Sequence, residues 1–140
     1  MKPDDVKNRS DAVGRILTEN RTIAVVGASD NPERQSYGVA RYLKDAGYTV
    51  IPVNPKLQEL FGEKSYPDLL SIPGPVDVVD IFRTPDAVPE IVEQAIAKKA
   101  KVVWMQPGAE NPKAEVRARA AGLDVVMGQC MKQEHMKRNP

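Results

Sequence analysis

The sequence predicts an α/β domain of doubly wound, Rossmann-like type, built on a parallel sheet of about five strands. Three observations carry that prediction. Short apolar runs alternate with amphipathic segments along the chain, the pattern of βαβ units. The first apolar run, Thr22-Ile23-Ala24-Val25-Val26, ends in Gly27 ahead of a small, polar loop. A length of 140 residues, with 41% hydrophobic and 28% charged content, fits one ordinary globular domain. That domain is expected to take in residues 1–140.

An N-terminal helix is expected over about residues 4–18, with Val13, Ile16 and Leu17 at helical spacing. Thr22–Gly27 follows as a buried central strand. Ser36 is placed to N-cap a helix running to Ala46, with Val39, Leu43 and Ala46 on one face and Gly47 beyond its end. Tyr48–Val53 reads as the second strand and stops at Asn54-Pro55. Lys56–Pro75 is a longer excursion, with one helical turn expected near Asp68–Ser71.

Val76–Phe82 is the third strand. Ala87, Val88, Ile91, Val92, Ala95 and Ile96 then trace a helix face, which Pro89 allows only from the first turn. Lys101–Met105 is the fourth strand. Asn111-Pro112 supplies an N-cap and first helical residue for a helix to Ala121, closed by Gly122. Leu123–Met127 is the fifth strand, and the tail from Gln129 adds a last turn. Right-handed crossovers leave few topologies, and the order expected is 3-2-1-4-5, with helices on both faces.

Composition narrows the function classes. The formal net charge is +1, and Lys and Arg are scattered, so no basic patch marks a nucleic-acid or membrane-surface binder. No apolar run approaches the roughly 18 residues of a membrane span, and the N-terminus lacks a secretory apolar core. Cys130 stands alone, which fits a reducing cytoplasm. With His135 the single histidine, multi-histidine metal sites are excluded and no metal is expected.

In an open parallel sheet, ligands bind beyond the carboxyl ends of the strands, where strand order reverses. The expected order puts that point between strands one and four. The loop Gly27-Ala28-Ser29-Asp30-Asn31-Pro32 then becomes the first candidate. Small residues let backbone N–H groups approach a phosphate, and the next helix turns its positive end to the same spot. The dinucleotide fingerprint G-x-G-x-x-G is absent, because the glycine after Gly27 is Gly38. The second strand ends in Asn54-Pro55-Lys56 rather than in the acid that holds an adenosine ribose. A lysine there suits an extra phosphate, so NADP or coenzyme A fits better than NAD.

Further residues bear a resemblance to a known family. Ile23-Ala24-Val25-Val26-Gly27-Ala28-Ser29, Tyr42-Leu43, Gly47-Tyr48, Val53-Asn54-Pro55 and Phe61-Gly62 carry the first half of it. Val76–Arg83, Val103-Trp104-Met105-Gln106-Pro107-Gly108 and Cys130–His135 carry the second. The chain resembles the small stand-alone CoA-binding proteins, whose domain is shared with succinyl-CoA synthetase alpha subunits and ADP-forming acyl-CoA synthetases. The resemblance implies coenzyme A, or an acyl-CoA, lying across the strand ends. Gly27, Ala28 and Ser29 would sit on its phosphates, with Ser36 near the helix start. Asn54, Pro55 and Lys56 would border the adenosine, and Phe82, Arg83 and the loop of Gln106, Pro107 and Gly108 the inner side. Arg34 and Lys56 are the candidates for the ribose phosphate.

No residue is assigned to catalysis. Asp80 is expected to be hydrogen-bonded at a strand end, and Trp104 to be core. Cys130 is read as a small buried thiol and His135 as a tail imidazole, not as a catalytic pair. The leading reading is a CoA-binding protein without independent catalysis. An NADP-dependent oxidoreductase and the CoA-binding subunit of a split acyl-CoA ligase remain as alternatives. The partner expected is a small molecule, with a homo-oligomer or a ligase subunit left open.

Overall fold

The computed structural model describes residues 11–140, so the expected helical turns over residues 4–10 lie outside the described residues. Helix α1 (Ala12–Glu19) is capped by Asp11, whose carboxylate accepts from Gly14 N at 3.0 Å, and it buries Ile16 and Leu17. Strand β1 (Thr22–Val26) leads to α2 (Gln35–Asp45) and β2 (Thr49–Val53). A small hairpin follows, β3 (Glu59–Leu60) and β4 (Glu63–Lys64). Then come β5 (Val78–Ile81), a 3-10 turn (Pro85–Ala87) running into α3 (Val88–Ala97), and β6 (Val102–Met105). Helix α4 (Pro112–Ala120), β7 (Asp124–Met127) and α5 (Met131–Arg138) complete the chain.

The main sheet is parallel, in the order β2-β1-β5-β6-β7. The fold class is the expected one; the order 3-2-1-4-5 is not. The third long strand, β5, pairs with β1 instead of continuing outward from β2. Two sequence features explain why. Pro52 lies in β2, and its carbonyl faces outward to accept from Tyr66 N, so its hydrogen-less nitrogen faces outward as well. Such a residue suits an edge strand and would break a ladder at a central one. Every residue of β5 is buried, as a central strand requires. Asp77 then fixes the pairing, its Oδ2 accepting from Arg21 N and Thr22 N at 2.9 and 3.0 Å. Burial opposes the charge on Asp77, but those N–H groups and Lys101 outweigh it and hold the carboxyl below its ordinary range.

Two cores flank the sheet. On one face α3 and α4 bury Val88, Ile91, Val92, Ala114 and Ala118 against Val79, Ile81, Val103 and Met105. On the other, α1, α2 and α5 cover Ile23, Val25, Val78 and Trp104. Trp104 is fully buried, as expected, and donates to Gln129 O. Asn111 and Pro112 start α4 as expected, and Pro89 lies in the first turn of α3.

Three local expectations change. Arg34, not Ser36, occupies the N-cap of α2, and no side chain caps it. Residues 68–71 form a turn closed by Asp68 Oδ1 on Ser71 N and Oγ, because an aspartate bonding its own loop competes with helix. The tail forms a two-turn helix rather than a single turn, held by Arg138 on Asp11 and Glu134.

Candidate functional site

The strand order reverses between β1 and β5, not between the first and fourth long strands. The loops leaving β1, β2, β5 and β6 surround an open cleft of about 620 Å³ at that point. Gly27 begins the first of these loops. Its φ is +90°, and a Cβ there would stand 2.3 Å from Phe82 O. The loops after β1 and β5 therefore meet at a position where only glycine fits. The sequence reading gave Gly27 to a phosphate; the structure adds a backbone reason for it.

The next residues are held by local hydrogen bonds. Ser29 Oγ accepts from Asn31 N, and Asn31 Oδ1 accepts from Glu33 N, each at 3.0 Å. Asn54 Nδ2 donates to Ala28 O at 2.7 Å, tying the end of β2 to the loop. The N–H groups of Ser29, Gln35 and Ser36 have no partner among the described residues. They belong to the loop and to the uncapped start of α2, the arrangement that meets anions at helix N-termini.

The lining is one-sided in charge. Arg34, Lys56 and Arg83 line the cleft, and among the described residues no aspartate or glutamate does. None of the three forms an ion pair with a described residue. Opposite the first loop, Gln106-Pro107-Gly108-Ala109 forms a turn closed by Ala109 N on Gln106 O at 2.8 Å. Gly108 has φ +97° behind Pro107, which is type II turn chemistry. Glu110 accepts from Gly108 N at 2.7 Å and so occupies that donor.

Twelve of the thirteen residues expected at the site line this cleft: Gly27, Ala28, Ser29, Arg34, Ser36, Asn54, Pro55, Lys56, Phe82, Arg83, Pro107 and Gly108. Gln106 does not. Its side chain is buried beneath the lip, with Oε1 accepting from Met131 N at 2.9 Å. Gln35, Val53, Thr84 and Ala109 also line the cleft and were missed. Each adjoins a residue that was named, and strand-end position was the available signal.

Residues 21–136 match the family model described as a CoA binding domain. This chain belongs to the CoA-binding domain family. A Bacillus subtilis (strain 168) protein, YneT, is 39% identical over 88% of this chain and 91% of its own. A solved structure from Pyrococcus horikoshii OT3 superposes with a TM-score of 0.89 at 47% identity, covering 91% of this chain and 90% of that one. The acetate–CoA ligase [ADP-forming] of Methanocaldococcus jannaschii is 31% identical over 62% of this chain, a match that spans 12% of the ligase. The CoA-binding domain described here is thus related to one part of those ligases.

Beneath the cleft lies one departure from expectation. Asp80 is fully buried in β5, and neither carboxyl oxygen has a partner among the described residues, where a hydrogen-bonded strand-end residue was expected. Burial pushes its carboxyl well above the ordinary carboxylate range. Cys130 is half-buried at the start of α5 rather than deeply buried. His135 sits in α5 with Nδ1 2.7 Å from Tyr42 Oη, four residues beyond Met131. Among the described residues no cluster of metal-ligating side chains occurs, and no helix is long and apolar enough to cross a membrane.

Proposed function

We propose that this CoA-binding domain, residues 1–140, binds coenzyme A or an acyl-CoA in the cleft and has no catalysis of its own. The observation that carries the reading is the charge of the lining: among the described residues it has three cations outside any ion pair, no acid, and free N–H groups at the start of α2. Coenzyme A is a polyanion, with a diphosphate and a ribose phosphate at one end. Free backbone donors beside Ser29 suit the diphosphate. Arg34 and Lys56 suit the ribose phosphate, and Phe82, Arg83 and Gly108 border the pantetheine side. The cleft volume lies within the usual range of about 300–1,000 Å³ for small-molecule sites.

Two findings favour coenzyme A over NADP. The family model supports it, and the glycine pattern for a dinucleotide pyrophosphate is absent. A second reading has its own support: the match to ligases covers only their CoA-binding part, so this chain could serve a ligase partner that carries the chemistry. Calorimetric titration with coenzyme A, NADP and NAD tests the first reading. Coenzyme A binds and raises the melting temperature, by mass action on the folded state. Stronger binding of NADP than of coenzyme A overturns it. Co-purification of a ligase subunit is the mark of the second reading.

A further inference from the structure

Gln106 and Asp80 supply the only buried side-chain polar atoms without a partner among the described residues: Gln106 Nε2 and both oxygens of Asp80. The two residues are neighbours by topology. Asp80 stands opposite Trp104 in the β5–β6 register, and Gln106 lies two residues beyond Trp104 on the same face. Gln106 N bonds to Ile81 O, so the ladder continues to this point. The two side chains are not hydrogen-bonded to each other in the structure; among the described residues they are the two unpartnered groups on this face of the sheet.

Gln106 is also a junction. Its carbonyl closes the Pro107–Gly108 turn, which forms the inner lip of the cleft, and its side-chain oxygen holds Met131 N at the start of α5. We propose that Gln106 is a positioning residue of the cleft, acting on a ligand through the Pro107–Ala109 lip and held in register by Asp80. The family resemblance set Gln106 on the inner border of the cleft; buried at 1% exposure, it acts on the ligand only through the lip.

The partner role for Asp80 follows from satisfaction of buried groups. An amide that spends its oxygen on Met131 N keeps two N–H donors, and a carboxyl on the same face is the matching acceptor. Unpaired, each group costs stability; joined, they fix the orientation of the amide and with it the lip. The apolar cluster on this face of the sheet includes Ile23, Val25, Val78, Trp104, Val39 and Met131.

The test has a ligand-free arm and a ligand-bound arm, the second resting on the proposed binding of coenzyme A. In ligand-free Gln106→Leu, amide hydrogen exchange at Ala109 accelerates by about tenfold, the scale of one lost hydrogen bond. Exchange at Ala109 equal to the parent overturns the positioning role, whether or not coenzyme A binds. In the bound arm, Gln106→Leu weakens coenzyme A about tenfold, measured well below the variant's melting temperature. If the parent itself binds no coenzyme A, the proposed ligand fails, and the exchange result still stands.

A swapped pair covers the case in which Gln106→Leu does not fold. Gln106→Glu sets two carboxyls together beneath the lip and weakens binding. Adding Asp80→Asn restores one acid and one amide, and recovers both Ala109 protection and affinity to within about threefold of the parent. A double variant no better than Gln106→Glu alone removes Asp80 from the role. Recovery is the readout that independent structural effects at the two positions do not produce.

Discussion

Asn54 donates through Nδ2 to the carbonyl of Ala28 at 2.7 Å and accepts through Oδ1 from Lys56 N at 2.8 Å. One side chain at the end of β2 thereby sets two parts of the cleft. It fixes the peptide that carries the free N–H of Ser29, because C=O and N–H point oppositely across a trans peptide. It also turns the chain that presents Lys56. Asn54→Ala leaves the Ala28 carbonyl unpaired and the loop less ordered. We expect coenzyme A to bind about tenfold more weakly, an effect of about 1.4 kcal/mol. Calorimetry gives the affinity, and a melt of the ligand-free variant separates it from unfolding. Parent-like affinity would show that the clamp is not needed.

Gly27 is a second checkpoint. Alanine there must accept a positive φ and a contact with Phe82 O that the backbone cannot relieve. Destabilisation of about 2–4 kcal/mol is expected from strain and overpacking together. Denaturant unfolding measures it. A change below about 1 kcal/mol would mean that the β1 and β5 exits separate at little cost.

Lys56 bears on ligand discrimination. If it faces the ribose phosphate, the parent prefers coenzyme A to dephospho-coenzyme A at low salt, and the preference shrinks as salt rises. Lys56→Ala should remove most of the preference while leaving dephospho-coenzyme A affinity within about twofold. Equal affinity of the parent for both ligands at low salt excludes a cation on that phosphate.

Asp80 makes a prediction about pH. Its folded-state value is raised, so the folded protein keeps a proton that the unfolded chain releases. The contribution is fully present below the unfolded value of about 3.9 and is lost as pH rises through the folded value. Asp80→Asn removes this dependence with almost no change of shape. The variant should match or exceed the parent's melting temperature at neutral pH, with an advantage that grows toward alkaline pH. A variant less stable than the parent at every pH would show a specific need for the acid.

Asp11 behaves oppositely. The guanidinium of Arg138, then Gly14 N, lowers its carboxyl to about 2. That stabilisation is present above the unfolded value of about 3.9 and disappears as pH falls through about 2. Asp11→Ala loses the cap and the link to α5, at a cost of about 1 kcal/mol near neutral pH. The difference between parent and variant should close on acidification. A constant difference from pH 7 to pH 2 would show that the charge on Asp11 contributes nothing to stability.

The fold class and most of the cleft follow from local sequence. Apolar runs of four or five residues, the glycine after β1 and the Asn111-Pro112 helix start depend on nearby residues, and each recurs in the structure. Cleft-lining positions were legible for the same reason, since strand ends in a parallel sheet converge. The strand order was not read correctly, although Pro52 within β2 carried a usable sign of an edge strand. What pairs β5 with β1 is a contact between Asp77 and the backbone of Arg21 and Thr22, residues more than fifty positions apart. Gln106 is likewise placed by a tertiary contact, its Oε1 accepting from Met131 N. Whether a polar side chain at a strand end faces the ligand or the interior depends on which element covers it. At Gln106 that element is α5, brought over the sheet by packing on α1 and α2, which no local pattern encodes.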